Sequence, residues 1–304
     1  VQVLRADNGE GIAGRAIMIW LLFALGAALF SGVSAVLAKK LLKTDDLYMV
    51  ALGKNLFALP FLVPILFFIP MPTLGPVFWK TLIILAPLDI LAILLFLKGI
   101  QNSPIALTMP FLSFSPVFIL LTGFLILGEV PTLLGAGGVL LVVAGAYVLN
   151  IKSWRRGLFA PFKAIFEERG SVLFLIVALV YSVTSVLGKK VILETSTMFF
   201  AGFYAPLIAL LLIPIAIKKS NNIKKIFKKP GLLIVLGALL AGMMFFHIIA
   251  ISMVDAVYMI SVKRTSIIIS TVLAYLIYKE DHIAEHLVGA GLMLAGVVVI
   301  LLLG

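Results

Sequence analysis

The chain has 304 residues, 63% of them hydrophobic and only 12% charged, with a net charge of +11 and no cysteine, and its mean hydropathy is +1.24. About a quarter of the residues of a water-soluble domain are charged, so most of this chain must be solvated by lipid. The same composition excludes a disulfide framework, an iron–sulfur cluster and thiolate metal ligation. Its Lys and Arg gather at the ends of apolar runs, where headgroups and topology account for them, which argues against nucleic-acid binding.

At about 20 residues per spanning helix, the apolar runs predict ten crossings. After a tail over 1–15, the first five are Ala16 to Ala38, Leu47 to Ile69, Phe78 to Leu97, Pro104 to Leu127 and Thr132 to Leu149. The first run is too long for the core of a cleavable signal, and more spans follow it. A basic linker over 151–170 carries Lys152, Arg155, Arg156, Lys163 and Arg169. The second five are Ser171 to Leu187, Thr197 to Ile217, Gly231 to Ile251, Ala256 to Tyr278 and Ile283 to Leu303. No stretch outside these spans is long enough for a soluble domain.

The two sets of five repeat each other. Gly32-Val-Ser-Ala-Val-Leu-Ala-Lys-Lys40 precedes Ser182-Val-Thr-Ser-Val-Leu-Gly-Lys-Lys190 by 150 residues, and Ala51, Leu62 and Pro64 match Ala201, Leu212 and Pro214 at the same offset. At an offset of 151, Ser115 matches Ser266, Glu129 matches Glu280, Gly138 matches Gly289, and Ala144-Gly145 match Ala295-Gly296. The chain therefore divides into a first repeat over 16–150 and a second over 171–304. Five crossings is an odd number, so the second repeat enters the membrane from the opposite face. The predicted fold is an all-α membrane protein of ten transmembrane helices in two inverted five-helix repeats, an arrangement that places a site between the halves near the bilayer midplane.

Charge orients the bundle. Connections 1–2, 3–4, 5–6, 7–8 and 9–10 carry 16 of the 24 Lys and Arg, against five on the N-terminal tail and the opposite connections. By the positive-inside rule, both termini lie outside and Lys218 to Lys229 face the cytoplasm. Pro60, Pro64, Pro87, Pro110, Pro116, Pro206 and Pro214 interrupt spans and predict bends. Gly138 and Gly145, like Gly289 and Gly296, give the fifth and tenth spans a small-residue face for close packing, between the halves or between the protomers of a homodimer.

Ionisable side chains inside the bilayer are costly and face a cavity or a partner. Lys54, Asp89, Lys263 and Arg264 qualify, and His247 joins them. Ser266 and Ser270 follow Lys263 at i+3 and i+7 and extend one polar stripe. In an unbroken helix Arg264 is rotated about 100° from Lys263, so the pair grips one ligand only if the site wraps round the helix. Otherwise Arg264 turns into the bundle and Lys263 reaches a headgroup. Lys54 and Asp89 are expected to form an ion pair, with proton carriage by Asp89 as the competing role. The repeat sets Tyr204 opposite Lys54 and Leu240 opposite Asp89, so the halves differ chemically. Three cations against one carboxylate leave a positive surplus that suits an anion. Glu129 and Glu280 fall at helix ends, where capping or a solvated charge serves as well as gating.

In order and content, Ser115-Pro116-Val117-Phe118, Leu127-Gly128-Glu129-Val130-Pro131-Thr132, Gly138 through Gly145, Tyr278-Lys279-Glu280 and Gly289 to Gly296 resemble the drug/metabolite transporter superfamily, in its ten-helix members built from two EamA-type repeats. Val262-Lys263-Arg264-Thr265-Ser266 is similar to the ninth-helix signature of triose-phosphate and nucleotide-sugar translocators, in which a Lys-Arg pair holds the substrate phosphate. Those translocators also use a lysine on the fourth helix, and the matching position here is Leu112.

The resemblance implies secondary transport by alternating access. With the intramembrane charges, it points to a small polar, anionic or zwitterionic metabolite. The expected site holds Lys263 and Arg264 for the anion, Lys54 and Asp89 as an ion pair or proton-coupling pair, and Tyr204, His247 and Ser266 on the cavity wall. No cofactor is expected, and the partners are the small-molecule substrate and membrane lipids of the cell (plasma) membrane. No nucleotide-binding loop or His-Glu-x-x-His is present, and His282 and His286 beside Asp281 and Glu285 make only a weak metal pattern. Export of amino acids or drugs with a structural Lys-Arg pair is the alternative, and a non-transporting membrane enzyme or scaffold is a further one that lacks any catalytic constellation.

Overall fold

The structure is a computed structural model, and it describes residues 10–148, 169–220, 223–228, 230–278 and 283–303. Most of the basic linker, together with Glu280, Asp281 and His282, lies outside the described residues. The described chain forms ten helical rods. They are α1 (Glu10–Leu42), α2 (Leu47–Leu62), α3 (Pro76–Asn102), α4, α5 (Leu133–Val148), α6 (Arg169–Glu194), α7 (Thr197–Lys219), α8 (Gly231–Met253), α9 and α10 (Ile283–Leu303). Rod α4 consists of α4a (Ile105–Thr108), a 3₁₀ segment (Met109–Phe114) and α4b (Ser115–Leu127); rod α9 consists of α9a (Ala256–Lys263) and α9b (Ser266–Tyr278). Eight of the rods are long and apolar enough to cross a membrane, and α5 and α10 are shorter apolar helices.

Local sequence sets the ends. Asp46 and Ser196, one repeat apart, each cap a helix: their side-chain oxygens accept the backbone N–H of Met49 at 2.8 Å and of Phe199 at 3.1 Å. Gly128 closes α4b in the left-handed region at φ 69°, a conformation that costs glycine little. Of the prolines, Pro64 and Pro110 begin 3₁₀ segments and Pro116 opens α4b, whereas Pro87, Pro206 and Pro214 lie inside helices that continue past them.

Helix pairing follows the repeat. α1 packs on α8 as α6 packs on α3, and α1 meets α9b as α6 meets α4b; α2 with α7 and α5 with α10 are self-related pairs. Exchange of the two repeats maps each of these contacts onto another, as a pseudo-twofold axis requires. The connection after α1 is tied to the one after α7 by the Lys225–Asp45 ion pair at 2.5 Å and by Ser220 Oγ donating to Asp46 at 2.7 Å. Both connections therefore lie on one face of the bundle.

The outer surface is as apolar as the interior, with Phe68, Leu133 and Leu302 at least three-quarters exposed, which is what lipid solvation permits. Between helices in lipid there is no hydrophobic driving force, so cohesion comes from close packing. The α5–α10 contact brings backbone against backbone. A Cβ on Gly138 would stand 2.9 Å from the Gly296 carbonyl oxygen, one on Gly296 2.7 Å from that of Gly138, and one on Gly145 2.6 Å from that of Gly289. The small-residue faces predicted on the fifth and tenth spans thus join the two halves.

Candidate functional site

A cavity of about 220 Å³ lies between the halves. Its described lining comes from α1 to α4 and α6 to α9 and none from α5 or α10. Lys54, Asp89, Tyr204, His247, Lys263, Arg264 and Ser266 all line it.

Lys263 and Arg264 both line this cavity, and they stand where the ninth rod is interrupted. Helix α9a ends at Lys263, the Arg264 and Thr265 amides bond back to Ser261 O and Val262 O at 3.2 and 3.0 Å, and α9b begins at Ser266. Arg264 itself stays in the right-handed helical region, with its N–H also bonded to Ile260 O at 3.0 Å, so the rotation of about 100° from Lys263 holds and the cavity wraps round the helix to reach both. Helix α4 is irregular at the matching place, its 3₁₀ segment ending at Phe114 and α4b beginning at Ser115. Discontinuous helices at mid-membrane are tolerated where they line a cavity. Gly32 of α1 allows the approach, since a Cβ there would lie 2.9 Å from the Ser266 carbonyl oxygen.

The two breaks touch. Arg264, only 6% exposed, donates from Nε and Nη2 to Ser115 Oγ at 2.9 and 2.6 Å. The guanidinium also lies 5.8 Å from the ring centre of Tyr181, a favourable cation–π arrangement. Arg264 thus bonds a side-chain hydroxyl of the other repeat. Lys263 Nζ lies 3.3 Å from His247 Nδ1; an ammonium can only donate, so that ring nitrogen is the acceptor. Among the described residues neither cation has a carboxylate within ion-pairing distance.

Asp89 departs from expectation. No ion pair joins it to Lys54; its carboxylate accepts a 2.5 Å hydrogen bond from the Tyr204 hydroxyl. Tyr204 occupies on α7 the position that Lys54 occupies on α2, and it reaches α3 from the other repeat, while Lys54 faces the cavity from α2. The charge of Lys54 is left to the cavity and whatever fills it.

Sequence reasoning missed the serines of α1 and the polar face of α6 in the lining, and the Arg264 partner Ser115. Ser31 and Ser34 on α1 and Tyr181, Thr184 and Ser185 on α6 all reach the cavity. The signal was present, since Ser31 and Tyr181, and Ser34 and Thr184, are repeat partners at helical i, i+3 spacing. Ser115 carried no charge to mark it. Lys189, which also lines the cavity, is paired with Glu129 and donates to the Val254 carbonyl at 2.8 Å. The other oxygen of Glu129 accepts the Ala256 N–H at 2.9 Å, capping α9a. Lys39, the repeat partner of Lys189, donates to the Ser103 carbonyl at 3.1 Å, and Ser103 is the repeat partner of Val254.

A solved crystal structure superposes on this chain with a TM-score of 0.59 at 17% identity, over 96% of this chain and 98% of its own; at that identity the likeness shows the shared fold. No curated protein matches the sequence. The sequence profile of the EamA-like transporter family matches residues 18–151 and again 168–302. These are the two halves that the internal repetition and the helix pairing define, and the chain belongs to the EamA-like transporter family.

Proposed function

We propose that this multi-pass membrane protein is a secondary transporter that carries a small polar, anionic or zwitterionic organic metabolite by alternating access between its inverted halves. The observation that carries the reading is the charge of the cavity: with Lys189 neutralised by Glu129, Lys54, Lys263 and Arg264 line it against Asp89 as the one carboxylate among the described lining residues. Burying uncompensated cations is costly, and an anion entering the cavity offsets that cost where a lipophilic cation raises it. Lys263 and Arg264 take the anionic group, Lys54 and Ser266 contribute further donors, and Asp89 with Tyr204 supplies the acidic pole that a zwitterion or a carried proton requires. His247 orients Lys263. The family consists of transporters, the chain acts as a carrier and not as an enzyme, and we assign it to the plasma membrane.

Arg264 already gives two of its five donors to Ser115, which favours a second reading in which the pair is structural and the substrate is an amino acid or drug for export. Counterflow in proteoliposomes with a broad metabolite panel separates the two. Loss of one charge-assisted contact of ~1.5–3 kcal/mol predicts a drop in substrate affinity of about tenfold to a hundredfold for Lys263→Ala and for Arg264→Ala. If both variants carry the identified substrate as well as the parent chain does, the anion site is wrong.

A further inference from the structure

We infer that the seam between α2 and α8, built on Gly53 and Gly237, is a closed gate, and that the chain rests with its cavity open toward the face on which α6 ends. Exchanging the repeats turns the α2–α8 seam into the α7–α3 seam, so the two should look alike if the molecule were symmetric. They do not. Helix α2 lies along α8 over much of its length, whereas α3 and α7 touch far less.

The sequence supplies the cause. A Cβ on Gly53 would stand 2.9 Å from the methyl groups of Leu233, and one on Gly237 would stand 2.6 Å from the Phe57 carbonyl oxygen, so these backbones close directly on their neighbours. In the other seam the repeat partners of Gly53 and Gly237 are Phe203 and Ala86. There the rings of Phe78, Phe199 and Phe203 stand between the helices, with Phe203 centroids 5.7 Å from Phe78 and 5.2 Å from Phe199. In lipid, helices associate through packing and small residues permit the closest approach. The glycine seam therefore closes more tightly than its aromatic counterpart, which biases a two-state equilibrium.

The shape of the cavity agrees independently. It reaches Lys189, Ile192 and Phe200 but stops short of their repeat partners Lys39, Leu42 and Val50. The first three lie near the face where α6 ends and α7 begins. The closed seam lies toward the opposite face, where α2 and α8 begin beside the Lys225–Asp45 tie. This inference goes beyond the transport reading and does not depend on what the substrate is.

The absence of cysteine makes the test direct. A Ser185→Cys substitution places one thiol in the cavity, while Glu194→Cys and Lys43→Cys, each in a separate chain, mark the two faces, both side chains being exposed. With a membrane-impermeant maleimide applied to one side of sealed vesicles of each orientation, the Ser185→Cys chain is expected to react at least about tenfold faster from the Glu194 side, a population ratio worth ~1.4 kcal/mol. Adding Gly237→Ala, or Gly53→Phe as a second route, gives the seam its partner's residues and should reduce that ratio about tenfold. Faster reaction from the Lys43 side, or a ratio that neither folded seam variant changes, overturns the inference. Transport measured separately by counterflow fails or succeeds independently of these rates.

Discussion

Arg264 is the residue on which the site turns. A guanidinium carries five donors in a fixed fork. Ser115 takes two of them on one oxygen and Tyr181 covers a face, which fixes the plane of the group while leaving donors for a ligand in the cavity. Because Ser115 belongs to the first repeat and Arg264 to the second, this anchor crosses the boundary between the halves. Ser115→Ala and Arg264→Ala should therefore be non-additive, with a coupling of ~1–3 kcal/mol in thermal unfolding of the detergent-solubilised protein. Additivity to within about 0.5 kcal/mol would show that the contact contributes nothing. The basic pair and Asp89 were legible as charges in apolar runs. Ser115 and the Asp89 partner were not, because a hydroxyl in a membrane helix is common and only the crossing of two chains of helices selects its partner.

Among the elements, the rods divide by task. Helices α4 and α9 are broken at matching places and bring polar groups to the cavity, and neither break was visible as more than a proline or a charge in the sequence. Helix α9 carries no proline at its break, where Arg264 packs against Ser115 and Gly32 against the Ser266 backbone. By contrast, α5 and α10 line none of the described cavity and meet through glycines at backbone distance. The seven-residue spacing of Gly138 and Gly145 marked a small-residue face in advance, and the structure shows that it meets α10. Gly145→Leu should lower the thermal midpoint by several degrees, since its Cβ alone would stand 2.5 Å from the Met293 amide nitrogen and overpacking costs ~1–3 kcal/mol or more. A midpoint equal to that of the parent chain would mean the contact is not a brace.

At the scale of the whole molecule, orientation follows from where the positive charge lies. The connections after α1 and α7 are tied together through Asp45 and Asp46, and the lysines in and around them lead us to propose this as the cytoplasmic face under the positive-inside rule. A reporter fused to the C-terminus should therefore read as external, and a cytoplasmic signal would reverse the assignment. The ties of Lys189 to Glu129 and of Lys39 to Ser103 stand at repeat-related ends of α6 and α1, so each face of the bundle has its own polar fastening beside the cavity axis.

The sequence alone determined that the chain lives in lipid, that it is duplicated with opposite orientations, and that three cations and one carboxylate lie within its apolar runs. These are properties of composition, period and parity, which survive any detail of packing. Only the tertiary structure decided that Asp89 pairs with Tyr204 and not Lys54, that Arg264 leans on Ser115, and that one seam closes more tightly than its partner. Those outcomes depend on distances between helices far apart along the chain, set by which small residues let two backbones meet.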